Sequence, residues 1–298
     1  MSKELVTKYL AACETQRNLS SKTLKAYRID LQQFADFRDE TCLFSRELIL
    51  EYIETLNAKY KPRTVKRKIA SIRAFLQHLE EKQIIEENPF KRLKLRMRAP
   101  KQLPRVIPLS LIEQMLRIAH QDIVNMPCQK RDISVRNALI LEILFSTGIR
   151  VGELCGLSRL DVNVETGTLL IMGKGAKERL LQIGNDNVIK LLKEHCSRCS
   201  YNSSALFVNR IGNPMSEQSV RTIVKTFARR TGTQIHITPH MFRHSFATAL
   251  LEANVDIRYI QKLLGHSSIM TTQIYTAVST AKQREVLVNC HPRNQMII

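Results

Sequence analysis

Three prolines, Pro100, Pro104 and Pro108, interrupt a chain that otherwise reads as helix on both sides. Proline fixes φ and has no amide proton to donate, so residues 98–108 cannot continue a helix and are expected to run extended as a linker. The chain, 298 residues long, is therefore expected to divide into a helical unit over 1–97 and a larger unit over 109–298.

Within 1–97 the apolar spacing is helical. Leu24, Tyr27, Leu31, Phe34 and Ala35 share one face, with Ser20 or Ser21 available as the cap. A second helix is expected over 46–58. Pro62 then suits a first helical turn, where no amide partner is missing. Behind it Val65, Ile69, Ile72, Phe75 and Leu76 form an apolar stripe. Lys61, Arg63, Lys66, Arg67, Lys68 and Arg73 supply the charge of the same segment, with no acid among them. A solvated helix face usually mixes both signs, so this one-signed face reads as phosphate-contacting. Lys91, Arg92, Lys94, Arg96 and Arg98 extend the basic character into the linker.

Beyond the linker, helices are expected near 109–120 and 131–146, then strands over 167–172 and 178–183 joined by the glycine-bearing turn Gly173-Lys174-Gly175. Helices follow at about 185–197, 216–230, 238–253, 256–264 and 268–276. The fold class is mainly α with a small antiparallel β-sheet.

The formal net charge of +19 favours a polyanionic partner, nucleic acid first and a membrane surface second. No apolar run approaches the length of about 18 residues that a membrane helix needs. The first residues lack the apolar stretch of a secretory signal, so a cytoplasmic location is expected. The cysteine count is odd and scattered, which argues against a disulfide framework. His195, Cys196 and Cys199 form one metal-like cluster, but a structural zinc usually needs a second ligand pair, and none is present.

Four segments carry chemistry. In Ser146-Thr147-Gly148-Ile149-Arg150, a helix ends at glycine and Arg150 opens the next turn, with Glu153 three residues on to brace it. Lys174 sits on a tight turn. In Thr238-Pro239-His240-Met241-Phe242-Arg243, a capped helix start places His240 and Arg243 on one face, where free N–H groups favour an anion. His244 is read as packing. In Leu264-Gly265-His266 a helix ends at a corner, and Tyr275 lies near the end of the next short helix.

Taken in order, Arg150, Lys174, His240-x-x-Arg243, Leu-Gly-His266 and Tyr275 resemble the active-site set of the tyrosine recombinases, most closely the bacterial Xer recombinases and phage-type integrases. The resemblance implies a core-binding domain followed by a catalytic domain. It implies Tyr275 as nucleophile, Arg150 and Arg243 on the phosphate, and Lys174 as proton donor to the leaving oxygen. His240 is the candidate proton acceptor, His266 a phosphate ligand and Glu153 a support for Arg150. Positioned cations do the electrostatic work, so no metal or other cofactor is expected. The implied partner is double-stranded DNA with specific sites, bound by a homo-tetramer, with a related recombinase or accessory factor left open. The tail after Tyr275 is expected to tie neighbouring protomers in a ring, the alternative being a tail folded back on its own domain. Type IB topoisomerases share the tyrosine and arginine chemistry and are the nearest rival reading. A catalytically silent DNA-binding protein is the rival from another class.

Overall fold

The computed structural model describes residues 3–17, 19, 21–37, 44–93, 106–173, 178–198, 203–253, 255–265, 284 and 287–296. They form two compact units, Met1–Gln102 and Leu103–Ile298. The architecture is mainly helical with one small antiparallel sheet.

The first unit holds α1 (Lys3–Thr15), α2 (Ser21–Phe37), α3 (Arg46–Lys59) and α4 (Pro62–Glu81), closed by a 3₁₀ turn over Pro89–Arg92. Ser45 caps α3 by accepting from the Leu48 amide at 3.1 Å, and Pro62 opens α4 from the extended residue Lys61. The apolar stripes meet in one core of Tyr9, Leu31, Phe34, Tyr52, Phe75 and Leu76. Burying a side chain of this kind stabilises the fold by roughly 1.5–3 kcal/mol.

The second unit is built around α6 (Cys128–Thr147), whose residues from Val135 to Phe145 are largely inaccessible. A helix that is apolar on all sides belongs at the centre, and α5 (Leu109–Asn125), α8 (Asp186–Arg198), α9 (Glu217–Arg230) and α10 (Pro239–Glu252) pack around it. After the short α7 (Val151–Gly156) comes a sheet of β1 (Val162–Asn163), β2 (Thr168–Met172) and β3 (Glu178–Gln182), in that order. The β2–β3 register pairs Leu169 with Leu181 and Ile171 with Arg179. β1 is too short to show an alternating pattern, which is why periodicity missed it. α11 (Ile257–Leu264) ends at Gly265. The short helix expected over 268–276 lies outside the described residues. Ile107, within the stretch read as linker, is already core: it is buried and its amide donates to Ser245 Oγ at 2.7 Å. Among the described residues no helix is long and apolar enough to cross a membrane.

The described end of the C-terminal segment, residues 287–296, packs on its own unit. Arg293 is 4% exposed and Glu142 0%, and they form a two-pronged ion pair, Nε to Oε2 at 2.9 Å and a terminal nitrogen to Oε1 at 2.9 Å. His120 adds a contact to Glu142 at 2.8 Å. The Arg293 amide donates to His291 Nδ1 at 2.9 Å, so the neutral ring donates from Nε2 to the Phe145 carbonyl at 3.2 Å. Glu142 sits 151 positions from Arg293, too far for local spacing to reveal the pair.

Candidate active site

Helix α6 terminates at Gly148, in the left-handed region at φ 61°. A Cβ there would lie 2.5 Å from Phe246 and 2.9 Å from Leu264, so both the conformation and the space demand glycine. The reversal delivers Arg150 to the start of α7. Its amide donates to Glu153 Oε2 at 3.0 Å and its guanidinium to Glu153 Oε1 at 2.8 Å. A second guanidinium nitrogen donates to the Gly265 carbonyl at 3.0 Å. The Arg150 side chain remains 36% exposed, open enough to meet a ligand.

Arg243 lies on the inner side of α10, one turn in. Thr238 holds the cap position of that helix without a side-chain hydrogen bond, and Pro239 is the first helical residue. Arg243 is buried and donates to the Gly148 carbonyl at 2.8 Å and the Leu264 carbonyl at 2.5 Å. The carbonyls at the C-terminal ends of α6 and α11 have no helical partner, and they carry the negative end of each helix dipole. They therefore hold both arginines in place. Burial, and then the neighbouring charge of Arg150, lower the Arg243 pKa to about 10, which leaves it protonated at neutral pH.

His240 is exposed on the first turn of α10, three residues before Arg243. His244 also stands exposed, not packed as the sequence suggested. Partial burial, with the charges of His240 and Arg243, lowers its pKa below the usual histidine value. Lys174, His266 and Tyr275 lie outside the described residues.

Sequence reasoning missed Arg179, on the inward side of β3. Its two terminal nitrogens donate to Glu153, at 3.0 Å to Oε1 and 2.8 Å to Oε2. Burial on its own raises the Glu153 pKa, but the hydrogen bonds from Arg179 and Arg150 outweigh it and hold the carboxyl below the usual range. Two guanidiniums thus share one carboxylate with Arg243 close by, and the cluster keeps an excess of positive charge with donors suited to an oxyanion.

The basic helix of the first unit is less uniform than its sequence. Lys61, Arg63, Lys66, Arg67 and Arg73 are exposed. Lys66 and Arg73, with Arg17, line a groove of about 530 Å³ floored by Ile69, Ala70 and Ala74. Arg73 also lies 5.0 Å from the centre of the Phe90 ring. Lys68 is a correction: it is 2% exposed and turned into the unit, where Nζ meets Asp30 Oδ1 at 3.0 Å and lies 5.0 Å over the Tyr60 ring. A buried ammonium must be paired, and here its partner is the Asp30 carboxylate. Arg67 reaches the same carboxylate from the surface, and Ser71 Oγ donates to it at 2.9 Å. Lys91 is exposed and paired with Glu80 at 2.9 Å. The side chain of Arg92, and Lys94 and Arg96, lie outside the described residues. His195, from the metal-like cluster, points inward to the Leu206 carbonyl at 3.0 Å and stacks on Phe207.

Residues 112–282 match the phage integrase family, and residues 6–83 match the phage integrase N-terminal SAM-like domain. The chain belongs to the phage integrase family: it is a tyrosine recombinase, an enzyme of site-specific DNA recombination. It is 48% identical over 296 residues to a tyrosine recombinase of Agathobacter rectalis, covering 97% of this chain and 96% of that relative. It is 36% identical over 312 residues to tyrosine recombinase XerC of Syntrophus aciditrophicus, covering 97% and 98%. Its fold is similar to that of a lambda integrase tetramer bound to a Holliday junction, with a TM-score of 0.68 and 16% identity, over 93% of this chain and 79% of that one.

Proposed function

We propose that the enzyme cuts and rejoins DNA through a 3′-phosphotyrosine bond at Tyr275. The observation that carries this reading is the pairing of Arg150 with a buried Arg243 whose hydrogen bonds among the described residues go to carbonyl oxygens. A guanidinium that stays charged in a dry site favours an anion, and a phosphodiester supplies one with two non-bridging oxygens. In this reading both arginines hold those oxygens as charge builds during transfer. The Tyr275 oxygen bonds to phosphorus while the 5′ oxygen leaves. His240 accepts the phenol proton, Lys174 gives a proton to the departing oxygen, and His266 hydrogen-bonds the phosphate. The reverse step, with the 5′ hydroxyl of a partner strand, rejoins the DNA. The phosphotyrosine conserves the bond energy, so no external energy source enters.

The first unit serves as the core-binding domain over 1–97, gripping duplex phosphates with Lys61, Arg63, Lys66, Arg67 and Arg73 and, in the linker region, Lys91, Arg92, Lys94 and Arg96. Residues 109–298 are the catalytic domain. Exchange of two duplexes needs four cuts and each protomer offers one tyrosine, so the active species is a tetramer on DNA passing through a Holliday junction. The tetrameric state of the structurally similar lambda integrase supports this. The setting is the cytoplasm, and the same chemistry serves dimer resolution, cointegrate resolution and mobile-element integration.

The test is a labelled suicide substrate run on a denaturing gel. Tyr275→Phe keeps the ring and removes the oxygen, so it should lose the covalent adduct while its gel shift stays near that of the parent. An adduct that survives in Tyr275→Phe overturns the assignment.

A further inference from the structure

We propose that Arg179 is a positioning residue for the cleavage step: it serves as the counter-ion of Glu153 and so frees the charge of Arg150 for the phosphate. The proposal rests on the reading of Arg150 as a phosphate-holding residue.

Geometry comes first. Glu153 receives four donors, two from each arginine: Arg150 through its amide and one guanidinium nitrogen, Arg179 through both terminal nitrogens. A carboxylate offers about four lone-pair directions, so this one is saturated. Each guanidinium nitrogen that Arg179 turns to Glu153 is turned away from solvent, and its side chain is only 16% exposed. Arg179 is thus placed to act on Glu153 and not on a substrate.

Charge comes second. Alone, Glu153 and Arg150 would form a neutral pair, and much of the field of Arg150 would end on its own brace. Glu153 is needed all the same, because its side chain also fixes the Arg150 amide at the start of α7. Arg179 resolves the conflict by matching the carboxylate with a second cation. Arg150 then keeps its geometric support and presents its positive charge outward. The Arg243 guanidinium feels both arginines and Glu153 across the site, which places all four charges within one electrostatic cluster.

The third observation concerns Gly265. Arg179 lies flat against it: a Cβ at position 265 would fall 2.8 Å from one guanidinium nitrogen and 3.0 Å from Cζ. The same glycine turns at φ 61° to end α11, and its carbonyl holds Arg150 at 3.0 Å. Arg179 therefore touches both supports of Arg150, the carboxylate and the carbonyl-bearing corner. It does so from β3, beside the turn that carries Lys174 in the sequence.

The experiment measures single-turnover cleavage of a suicide substrate at saturating protein, with gel shift and thermal melting on the same variants. Arg179→Met should slow cleavage by about 10²-fold, the scale of a misplaced reacting group, with affinity changed by less than about twofold. The decisive arm is Arg179→Met combined with Glu153→Gln. Removing the stranded carboxylate charge should recover about tenfold of the loss, an outcome that a merely structural arginine does not produce. Arg179→Lys keeps the charge without the two-pronged contact, so it should be slowed less than Arg179→Met and be relieved less by Glu153→Gln. It also carries the test if Arg179→Met melts below the assay temperature. Cleavage by Arg179→Met within twofold of the parent overturns the proposal. So do losses in the combined variant that simply multiply. Arg150→Met, run in parallel, separates the two levels: if it cleaves normally the reading of Arg150 fails, whereas a dead Arg150→Met beside a normal Arg179→Met removes only the role given to Arg179.

Discussion

The two units bury charge in opposite ways. Beneath the basic helix α4 the first unit buries a carboxylate, Asp30, and surrounds it with Lys68, Arg67 and Ser71. The second unit buries a guanidinium, Arg243, and gives it carbonyl oxygens at the ends of two helices. In the first, the two buried charges, Asp30 and Lys68, cancel, and Arg67 joins from the surface. The second carries positive charge that the helix dipoles soften but do not cancel. A balanced buried pair holds a fold together; an unbalanced one is a site waiting for an anion. The Glu142–Arg293 pair, inside the second unit, belongs with the balanced kind.

The largest expected effect tests the balanced side. Asp30→Ala strands the Lys68 ammonium in the core and should destabilise the first unit by about 3–5 kcal/mol, read by denaturant unfolding. Arg243→Met should do the reverse. It removes an unbalanced charge, so melting should hold or rise, while single-turnover cleavage falls by about 10²–10³-fold. If Arg243→Met unfolds the protein and Asp30→Ala does not, the distinction between the two sites is broken.

A smaller effect sharpens it within the second unit. Burial depresses the His291 pKa from 6.5 to about 4, so between those values the unfolded chain binds a proton that the folded one refuses. Stability is complete above pH 6.5 and is lost as the pH falls toward 4. Glu142 is also held below its usual range, with hydrogen bonds from His120 and Arg293 overcoming the opposite push of burial, so it adds loss in the same direction. Melting temperatures measured across that window should decline with acid, and the decline should flatten in His291→Gln. The smallest effect belongs to the exposed cations. Arg63→Ala and Lys66→Ala should each lower the slope of log affinity against log salt by about one unit, whereas Lys68→Met should leave it unchanged. Equal slopes for all three would erase the line between surface and buried cations.

Much of this was legible in the sequence. Pro62 and Pro239 mark the starts of α4 and α10, and Gly148 and Gly265 mark the ends of α6 and α11, because each position has a steric requirement that one residue meets best. The Arg150–Glu153 pair follows from three-residue spacing. What escaped was pairing over long sequence distance. Asp30 is 38 positions from Lys68, and Glu153 is 26 from Arg179. For Lys68 a local signal existed: position 68 falls three after Val65 and four before Ile72, on the buried stripe itself. The charge of the residue outweighed that spacing in the reading. Arg179 had a weaker signal, its alternation with Leu181 on the inward side of β3. The longest pairing among the described residues is at the end of the chain, where Arg293 and His291 enter a core because Glu142 and the Phe145 carbonyl meet them there.

The central claim is that this enzyme holds DNA covalently between cutting and rejoining, at one tyrosine. The most direct measurement is mass spectrometry of the protease-digested adduct formed on a suicide substrate. The account predicts a single modified peptide, containing Tyr275 esterified to the phosphate at a DNA 3′ end. An adduct on another side chain, or on a 5′ phosphate, would contradict it.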